Sequence, residues 1–121
     1  VYLQVTRGAD EKRDHAFPKD VPPTVFIFTA PLTTTPDAVR AAGVAAVTAT
    51  DNRWARCDLK VVALLANVLA RQQAVDQGCA ETILLRDGCM IEGAASNIFV
   101  VRDGVLLAPV KDQRMLPGIT Y

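Results

Sequence analysis

Residues Cys57–Ala66 read Cys-Asp-Leu-Lys-Val-Val-Ala-Leu-Leu-Ala, and the predicted fold is organised around this stretch. Lys60 is the only charged residue between Asp58 and Arg71. The pattern predicts a long helix over about Leu59–Gln77, with Asp58 as its N-cap and first turns that are apolar on every side. An apolar frame disfavours the ammonium form and makes a lysine amine available as a nucleophile. The alternative is a helix-start lysine that reaches solvent past its apolar neighbours.

The composition is that of a folded chain with a buried core. Half of the 121 residues are hydrophobic and 21% are charged. Thirteen basic and thirteen acidic residues balance without a block of like charge, so we expect no nucleic acid and no membrane as a partner. Three scattered cysteines without Cys-x-x-Cys spacing favour a reducing, cytoplasmic setting and predict no metal site.

Periodicity and turn residues predict an α+β fold rich in antiparallel strands. A helix through Ala42 is expected to end at Gly43, and Gly78 to end the long helix. Asp-Gly pairs predict two tight hairpin turns. The predicted strands cover residues 1–7, 24–29, 44–50, 81–86, 89–92, 97–102 and 105–108, and the continuous apolar run of the second indicates a buried strand.

A second isolated charge lies in the carboxyl-terminal half. Glu92 is the only charged residue between Gly88 and Val101, and small residues follow it. Taken alone, it could equally be a surface glutamate at a strand end. Together with Lys60, however, it fits a cofactor that forms an imine at one end and carries a pyridinium nitrogen at the other. Pyridoxal 5'-phosphate is such a cofactor.

Several motifs occur in the order found in one enzyme family. They are Tyr2–Gly8, Arg13-x-His15-x-Phe17-Pro18, Trp54-x-Arg56–Lys60, Ala66–Ala70, Glu92-Gly93-x-x-Ser96–Phe99 and Leu116-x-Gly118–Thr120. This set resembles the D-amino acid aminotransferases, which are class IV (fold type IV) pyridoxal-phosphate enzymes. The resemblance covers essentially the whole chain and implies an internal fragment of such an enzyme. Two prolines and three threonines over residues 31–36 predict a linker and a domain boundary. Together with the resemblance, this places residues 1–32 at the end of a small amino-terminal domain, 33–36 in an interdomain linker and 37–121 in the first part of a larger antiparallel-sheet cofactor domain.

The resemblance implies a role for each matching site residue. Lys60 would form the internal aldimine with pyridoxal 5'-phosphate and then shuttle the substrate α-proton. Glu92 would pair with the pyridine nitrogen, and Leu116 would pack against the ring. The backbone amides of Ile119 and Thr120 would form part of the phosphate site.

The motif Arg13-x-His15 points to the substrate. By resemblance, Arg13 and His15 would bind the substrate α-carboxylate and reach in from the partner subunit of a homodimer with a shared active site. The implied reaction is transamination between a D-amino acid, of the D-alanine or D-glutamate type, and a 2-oxo acid. Without the resemblance, this segment would read as a solvated charged loop.

Alternatives and departures accompany this interpretation. Branched-chain aminotransferase and aminodeoxychorismate lyase are alternatives within the family, because they share the lysine and the glutamate. A Schiff-base lyase without cofactor is an alternative of another class. A third alternative is that the fragment is a non-catalytic, small-molecule binding module. Cys57 as a nucleophile is disfavoured because an apolar frame raises a thiol pKa. Four positions depart from the family pattern: Ala94 and Ala95 stand where serines are usual, Val61 stands where a serine is common, and Tyr121 replaces an arginine.

Overall fold

β-Branched and aromatic residues near the amino end form an antiparallel hairpin. In the computed structural model, which describes residues 1–121, β1 (Tyr2–Thr6) pairs with β2 (Thr24–Phe28) from Tyr2↔Phe28 to Thr6↔Thr24. The hairpin belongs to one of two compact units, Val1–Asp37 and Ala38–Tyr121. The prediction that the second strand is buried was wrong, because all five residues of β2 are exposed. A two-stranded ribbon has no second layer within its unit to cover either face.

The long loop between β1 and β2 closes where Gly8 meets Pro22. Gly8 has φ of +109°, and a Cβ at this position would lie 2.3 Å from the Pro22 carbonyl oxygen. Only glycine satisfies both the positive φ and the close approach.

The second unit is built on a three-stranded sheet with the order β3-β4-β5. β3 (Ala46–Thr50) runs parallel to β4 (Glu81–Arg86), which is antiparallel to β5 (Cys89–Gly93). α2 (Leu65–Asp76) connects the two parallel strands and packs on both. The Thr82 hydroxyl donates to the Ala70 carbonyl at 2.6 Å and ties β4 to this helix.

Shorter elements complete the second unit. α1 (Asp37–Ala42) begins at the last residue of the first unit, and Gly43 follows it with φ of +75°. β6 (Val100–Arg102) and β7 (Val105–Leu107) form a separate antiparallel hairpin. No helix of the structure has both the length and the apolar character needed to cross a bilayer.

The Asp-Gly pairs form the two predicted turns. Asp87-Gly88 joins β4 to β5 and Asp103-Gly104 joins β6 to β7. All four residues have positive φ, between 52° and 75°, which is the conformation that a two-residue type I′ turn requires.

The long helix begins later than the sequence predicts. α2 starts at Leu65, so a start near Leu59 was wrong. Asp58 is not its N-cap, because its carboxylate binds Arg56 at 2.8 and 2.9 Å, and the N-cap position, Leu64, has no side-chain cap. The adjacent β-branched pair Val61-Val62 loses side-chain freedom in a helix, which disfavours propagation towards Lys60.

Candidate active site

A β-bulge in the second unit sets the direction of the Glu92 side chain. β4 and β5 pair as Leu84↔Glu92 and Leu85↔Met90, so Ile91 is an extra residue in β5. Bulges re-aim side chains and are frequent beside active sites. Ile91 and Glu92 are consecutive in sequence and both buried, which regular strand alternation between two faces does not require.

The Glu92 carboxylate lies among three hydrogen-bond donors. Arg53 Nη1 donates to Oε1, and Asn97 Nδ2 donates to Oε2 at 3.3 Å. The Leu116 amide is shared between both oxygens at 3.3 and 3.2 Å. The three donors make four contacts and reach both oxygens, which holds the carboxylate in one orientation.

Arg53 is the charged partner that makes burial of Glu92 tolerable. The side chains of Arg53 and Glu92 are only 5% and 6% exposed, and that of Asp51 is 0% exposed. Arg53 also binds Asp51 at 2.9 and 3.0 Å and donates to the Arg114 carbonyl at 3.1 Å. Burial alone would lower the pKa of Arg53, but its hydrogen bonds to Asp51 and Glu92 outweigh burial and raise that pKa.

The other end of this network lies at the carboxyl ends of the parallel strands. Asp51 follows β3 and Arg86 ends β4, and their side chains form an ion pair of 2.9 Å. Burial would raise the pKa of Asp51, but the hydrogen bonds and positive charge of Arg53, together with the charge of Arg86, hold it below its usual value. Two acids and two arginines thus form a buried cluster of balanced charge.

The turn after Glu92 is held by Glu81 at the start of β4. Glu81 Oε1 accepts from the amides of Thr82 at 2.8 Å and Ala94 at 3.1 Å, while Oε2 accepts the Ser96 hydroxyl at 2.7 Å. On the helix side, Asn67 Nδ2 donates to the Ala94 carbonyl at 2.9 Å. Apart from the Ser96 hydroxyl, these contacts use the backbone of the turn, so Ala94-Ala95 adopt it without the hydroxyls usual in the family.

The segment that contains Leu116, Ile119 and Thr120 presents free backbone donors. Ile119 and Thr120 form a turn in which the Tyr121 amide donates to the Gly118 carbonyl at 3.1 Å. The amides of Ile119 and Thr120 themselves donate to no group of the chain. Both residues are exposed. Free amides at a turn suit an anionic oxygen ligand.

Lys60 lies in the irregular segment between Cys57 and α2. Its side chain is exposed, and it takes part in no ion pair. The predicted setting, an apolar first helical turn, was therefore wrong, because the helix begins five residues later. Nearby Cys57 is buried, and burial raises the pKa of its thiol, which opposes a nucleophilic thiolate.

Arg13 and His15 lie in the first unit, within the loop between β1 and β2. Both are exposed, and the Arg13 guanidinium makes no ion pair or hydrogen bond within the chain. The His15 amide is bound to the Asp14 carboxylate at 2.6 Å. The structure thus brings Glu92 and Leu116 into direct contact, whereas Arg13 and His15 belong to a separate unit.

Sequence reasoning missed the residues that hold Glu92 and its turn: Asp51, Arg53, Arg86 and Glu81. One signal could have found part of this set. Asp51 directly follows one strand and Arg86 ends the next, and the carboxyl ends of neighbouring parallel strands share one edge of a sheet. That signal required knowing that β3 and β4 are parallel neighbours.

Comparison with known proteins gives the family. The family model Amino-transferase class IV matches residues 1–121. The chain belongs to the class IV aminotransferase family. The D-alanine aminotransferase of Bacillus licheniformis is 40% identical over 120 residues, and that of Listeria monocytogenes serotype 1/2a (strain 10403S) is 42% identical over 122. Each match covers 99% of this chain, and the chain spans 42% of the length of each relative.

Solved structures agree with this class IV fold. A fold IV transaminase from Curtobacterium pusillum matches with a TM-score of 0.61 and 26% identity, over 72% of this chain and 33% of that one. A hypothetical aminotransferase from Mycobacterium tuberculosis, in its PLP-bound form, matches with a TM-score of 0.74 at 24% identity, over 98% of this chain and 43% of that one. The predicted α+β architecture of fold type IV is confirmed.

Replacing Arg53 with methionine should destabilise the second unit strongly. The change leaves Glu92 and Asp51 buried without their shared cation, and breaking a buried pair in this way costs about 3–5 kcal/mol. Urea unfolding followed by circular dichroism measures the loss. Arg56→Met is the matched control, because Arg56 pairs with Asp58 at the surface and its side chain is 54% exposed. Equal effects of the two substitutions would contradict a special role for Arg53.

Glu81 should make stability depend on pH in the acid range. Burial would raise its pKa, but hydrogen bonds from Ser96 and the backbone of the turn outweigh burial and lower it below the ordinary 4.5. Because the pKa is lowered in the folded state, ionised Glu81 contributes its full stabilisation above about pH 4.5, and this contribution is lost as pH falls from there towards the lowered pKa.

Glu81→Gln should therefore be less stable than wild type by about 1–3 kcal/mol near neutral pH, and the gap should narrow in acid. Urea unfolding between about pH 7 and pH 3 tests this expectation. Asp103→Asn is the control, since Asp103 is exposed in a turn with φ of +53°, a conformation that asparagine tolerates. A gap that stays constant with pH would contradict the assignment to Glu81.

Proposed function

We propose that the protein containing this chain is a pyridoxal-phosphate-dependent aminotransferase that acts on D-amino acids, of the D-alanine or D-glutamate type, and 2-oxo acids. The observation that carries the proposal is the buried Glu92 carboxylate, which Arg53, Asn97 and the Leu116 amide hold in place. A protonated pyridine nitrogen is an N–H donor that suits a carboxylate acceptor. The similarity to D-alanine aminotransferases supports the choice of substrate.

The residues present fit pyridoxal phosphate by the chemistry of their donors. The Glu92 carboxylate suits the pyridinium N–H, and the free amides of Ile119 and Thr120 suit phosphate oxygens. The exposed amine of Lys60 is accessible for covalent attachment, and Leu116, bonded to Glu92 through its amide, would lie against the ring. When bound, the cofactor supplies an electron sink for the charge that develops at the substrate α-carbon.

Each residue then has a distinct task. Glu92 would pair with the N–H of the pyridine nitrogen, and Arg53 holds the Glu92 carboxylate in place through their ion pair. Lys60, as a free amine, takes the proton from the substrate α-carbon and later returns one. We further propose that residues 37–121 belong to the cofactor domain, 1–32 to the small domain and 33–36 to the linker between them.

Substrate recognition falls to Arg13 and His15. The Arg13 guanidinium is free within the chain, and its planar fork matches a carboxylate in two parallel hydrogen bonds. His15 supplies a neighbouring donor. We propose that the two bind the substrate α-carboxylate in the active site of the partner subunit of a homodimer.

Borohydride reduction in the presence of pyridoxal phosphate tests the assignment of Lys60. Peptide mapping should find the reduced adduct on Lys60. The Lys60→Ala protein should give no such adduct, and its transamination rate should fall at least about a thousandfold through loss of the proton-transferring amine. Lys19→Ala, a change at an exposed lysine of the first unit, should behave as wild type. Label on another lysine, or none, would refute the cofactor assignment and favour a non-catalytic binding module.

Kinetics with two substrates test Arg13. Arg13→Ala should reduce kcat/KM for D-alanine by about 10- to 100-fold, because a charge-assisted contact to the carboxylate is lost. Arg40→Ala is the matched control, since Arg40 is also exposed and without an ion pair. An unchanged rate with D-alanine would disprove the carboxylate role. Preferred turnover of L-leucine by the wild type would instead indicate a branched-chain aminotransferase.

A further inference from the structure

The Asn97 carboxamide touches both ends of the proposed cofactor site. Its Nδ2 donates to Glu92 Oε2 at 3.3 Å and to the Leu116 carbonyl at 2.9 Å. Its Oδ1 accepts the Gly118 amide at 2.7 Å. One short side chain therefore joins the carboxylate proposed for the pyridine nitrogen to the turn proposed for the phosphate.

The chemistry of these contacts selects a carboxamide. Glu92 and the Leu116 carbonyl are acceptors, whereas the Gly118 amide is a donor. An asparagine offers two N–H donors and an acceptor on one planar group, and an aspartate at pH 7 has no donor. A hydroxyl has a single proton, which cannot serve both acceptors fully.

Gly118 completes the arrangement by leaving room for the carboxamide. A Cβ at position 118 would lie 2.6 Å from Asn97 Oδ1, which is far inside van der Waals contact. Asn97 and Gly118 are therefore mutually dependent: the carboxamide requires a residue without a side chain, and the turn requires the carboxamide as its acceptor.

We propose that Asn97 is a positioning residue that fixes the spacing between the ring-nitrogen end and the phosphate end of the cofactor site. The inference rests on the proposed function and deepens it. Through Nδ2, Asn97 orients Glu92, and through Oδ1 it orients the backbone that leads to the Ile119 and Thr120 amides. Loss of Asn97 then weakens both ends of the site, although Asn97 itself need not touch the cofactor.

Equilibrium binding of two cofactor forms tests the proposal. The dissociation constants of pyridoxal phosphate and of pyridoxal, which lacks the phosphate, are measured by equilibrium dialysis for each variant. The pyridoxal Kd reports the ring end. The Kd ratio, defined as the pyridoxal Kd divided by the pyridoxal phosphate Kd, reports the phosphate contribution. In Asn97→Ala, the pyridoxal Kd should rise and the ratio should fall at least about tenfold, as expected for the loss of one oriented contact.

Asn67→Ala is the matched control. Asn67 is also a carboxamide that holds a backbone carbonyl beside Glu92, at Ala94 and 2.9 Å, but it makes no hydrogen bond to Glu92 or to residues 116–118. Its loss should lower stability while leaving the Kd ratio at the wild-type value. A merely structural effect would change the ratio equally in both variants and would overturn the proposal.

A double substitution tests the dependence on Gly118. Gly118→Ala should lower the Kd ratio in the wild-type background but add little in Asn97→Ala, because the clashing oxygen is then absent. Additive effects would overturn the proposed coupling. Should Asn97→Ala fail to fold, Asn97→Asp keeps the acceptor for Gly118 and loses the donors to Glu92 and Leu116. If Asn97→Asp then binds pyridoxal with wild-type affinity, the proposed positioning role of Asn97 is overturned.

Different results would refute the proposed function and the proposed role of Asn97. If the wild type forms no borohydride-stable adduct at Lys60, the proposed function fails. If the wild type forms the adduct and Asn97→Ala leaves either the pyridoxal Kd or the Kd ratio unchanged, the function stands and the positioning role of Asn97 fails.

Discussion

The contact between Arg53 and Glu92 is the interaction on which the candidate site depends. A buried carboxylate is costly unless it is paired, and Arg53 supplies the charge while Asp51 and Arg86 balance and anchor Arg53. A buried ion pair is a weak source of net stability compared with apolar packing. Its value here is orientation, because it holds the carboxylate oxygens at a fixed place beside Leu116.

Around this pair, side-chain hydrogen bonds hold two irregular backbone segments of the second unit in place. The turn after Glu92 is held by Glu81 from β4 and by Asn67 from α2, and the segment at 116–118 is held by Asn97. The family departure Ala94-Ala95 is therefore structurally mild. Its amide groups, rather than its side chains, set the turn.

Local sequence signals predicted local structure well. Asp87-Gly88 and Asp103-Gly104 form the expected turns because positive φ at both residues is a property of those residues and their neighbours. The predicted start of α2 was wrong because Asp58 had two possible partners, a helix N-terminus and Arg56. The local sequence does not show which partner the carboxylate binds. The prediction that β2 is buried was also wrong, since an apolar run does not specify whether a second layer covers the strand.

The sequence by itself determined the family, the order of elements and the identity of Glu92 as an isolated carboxylate within an apolar run. Only the tertiary structure decided what surrounds that carboxylate. Arg53 lies 39 residues from Glu92 and Leu116 lies 24 residues away, and a β-bulge at Ile91 turns the carboxylate towards them. Such contacts depend on the parallel pairing of β3 with β4 and on one irregular strand position. Neither feature is encoded by the period or composition of a short segment, because both follow from how distant segments pack together.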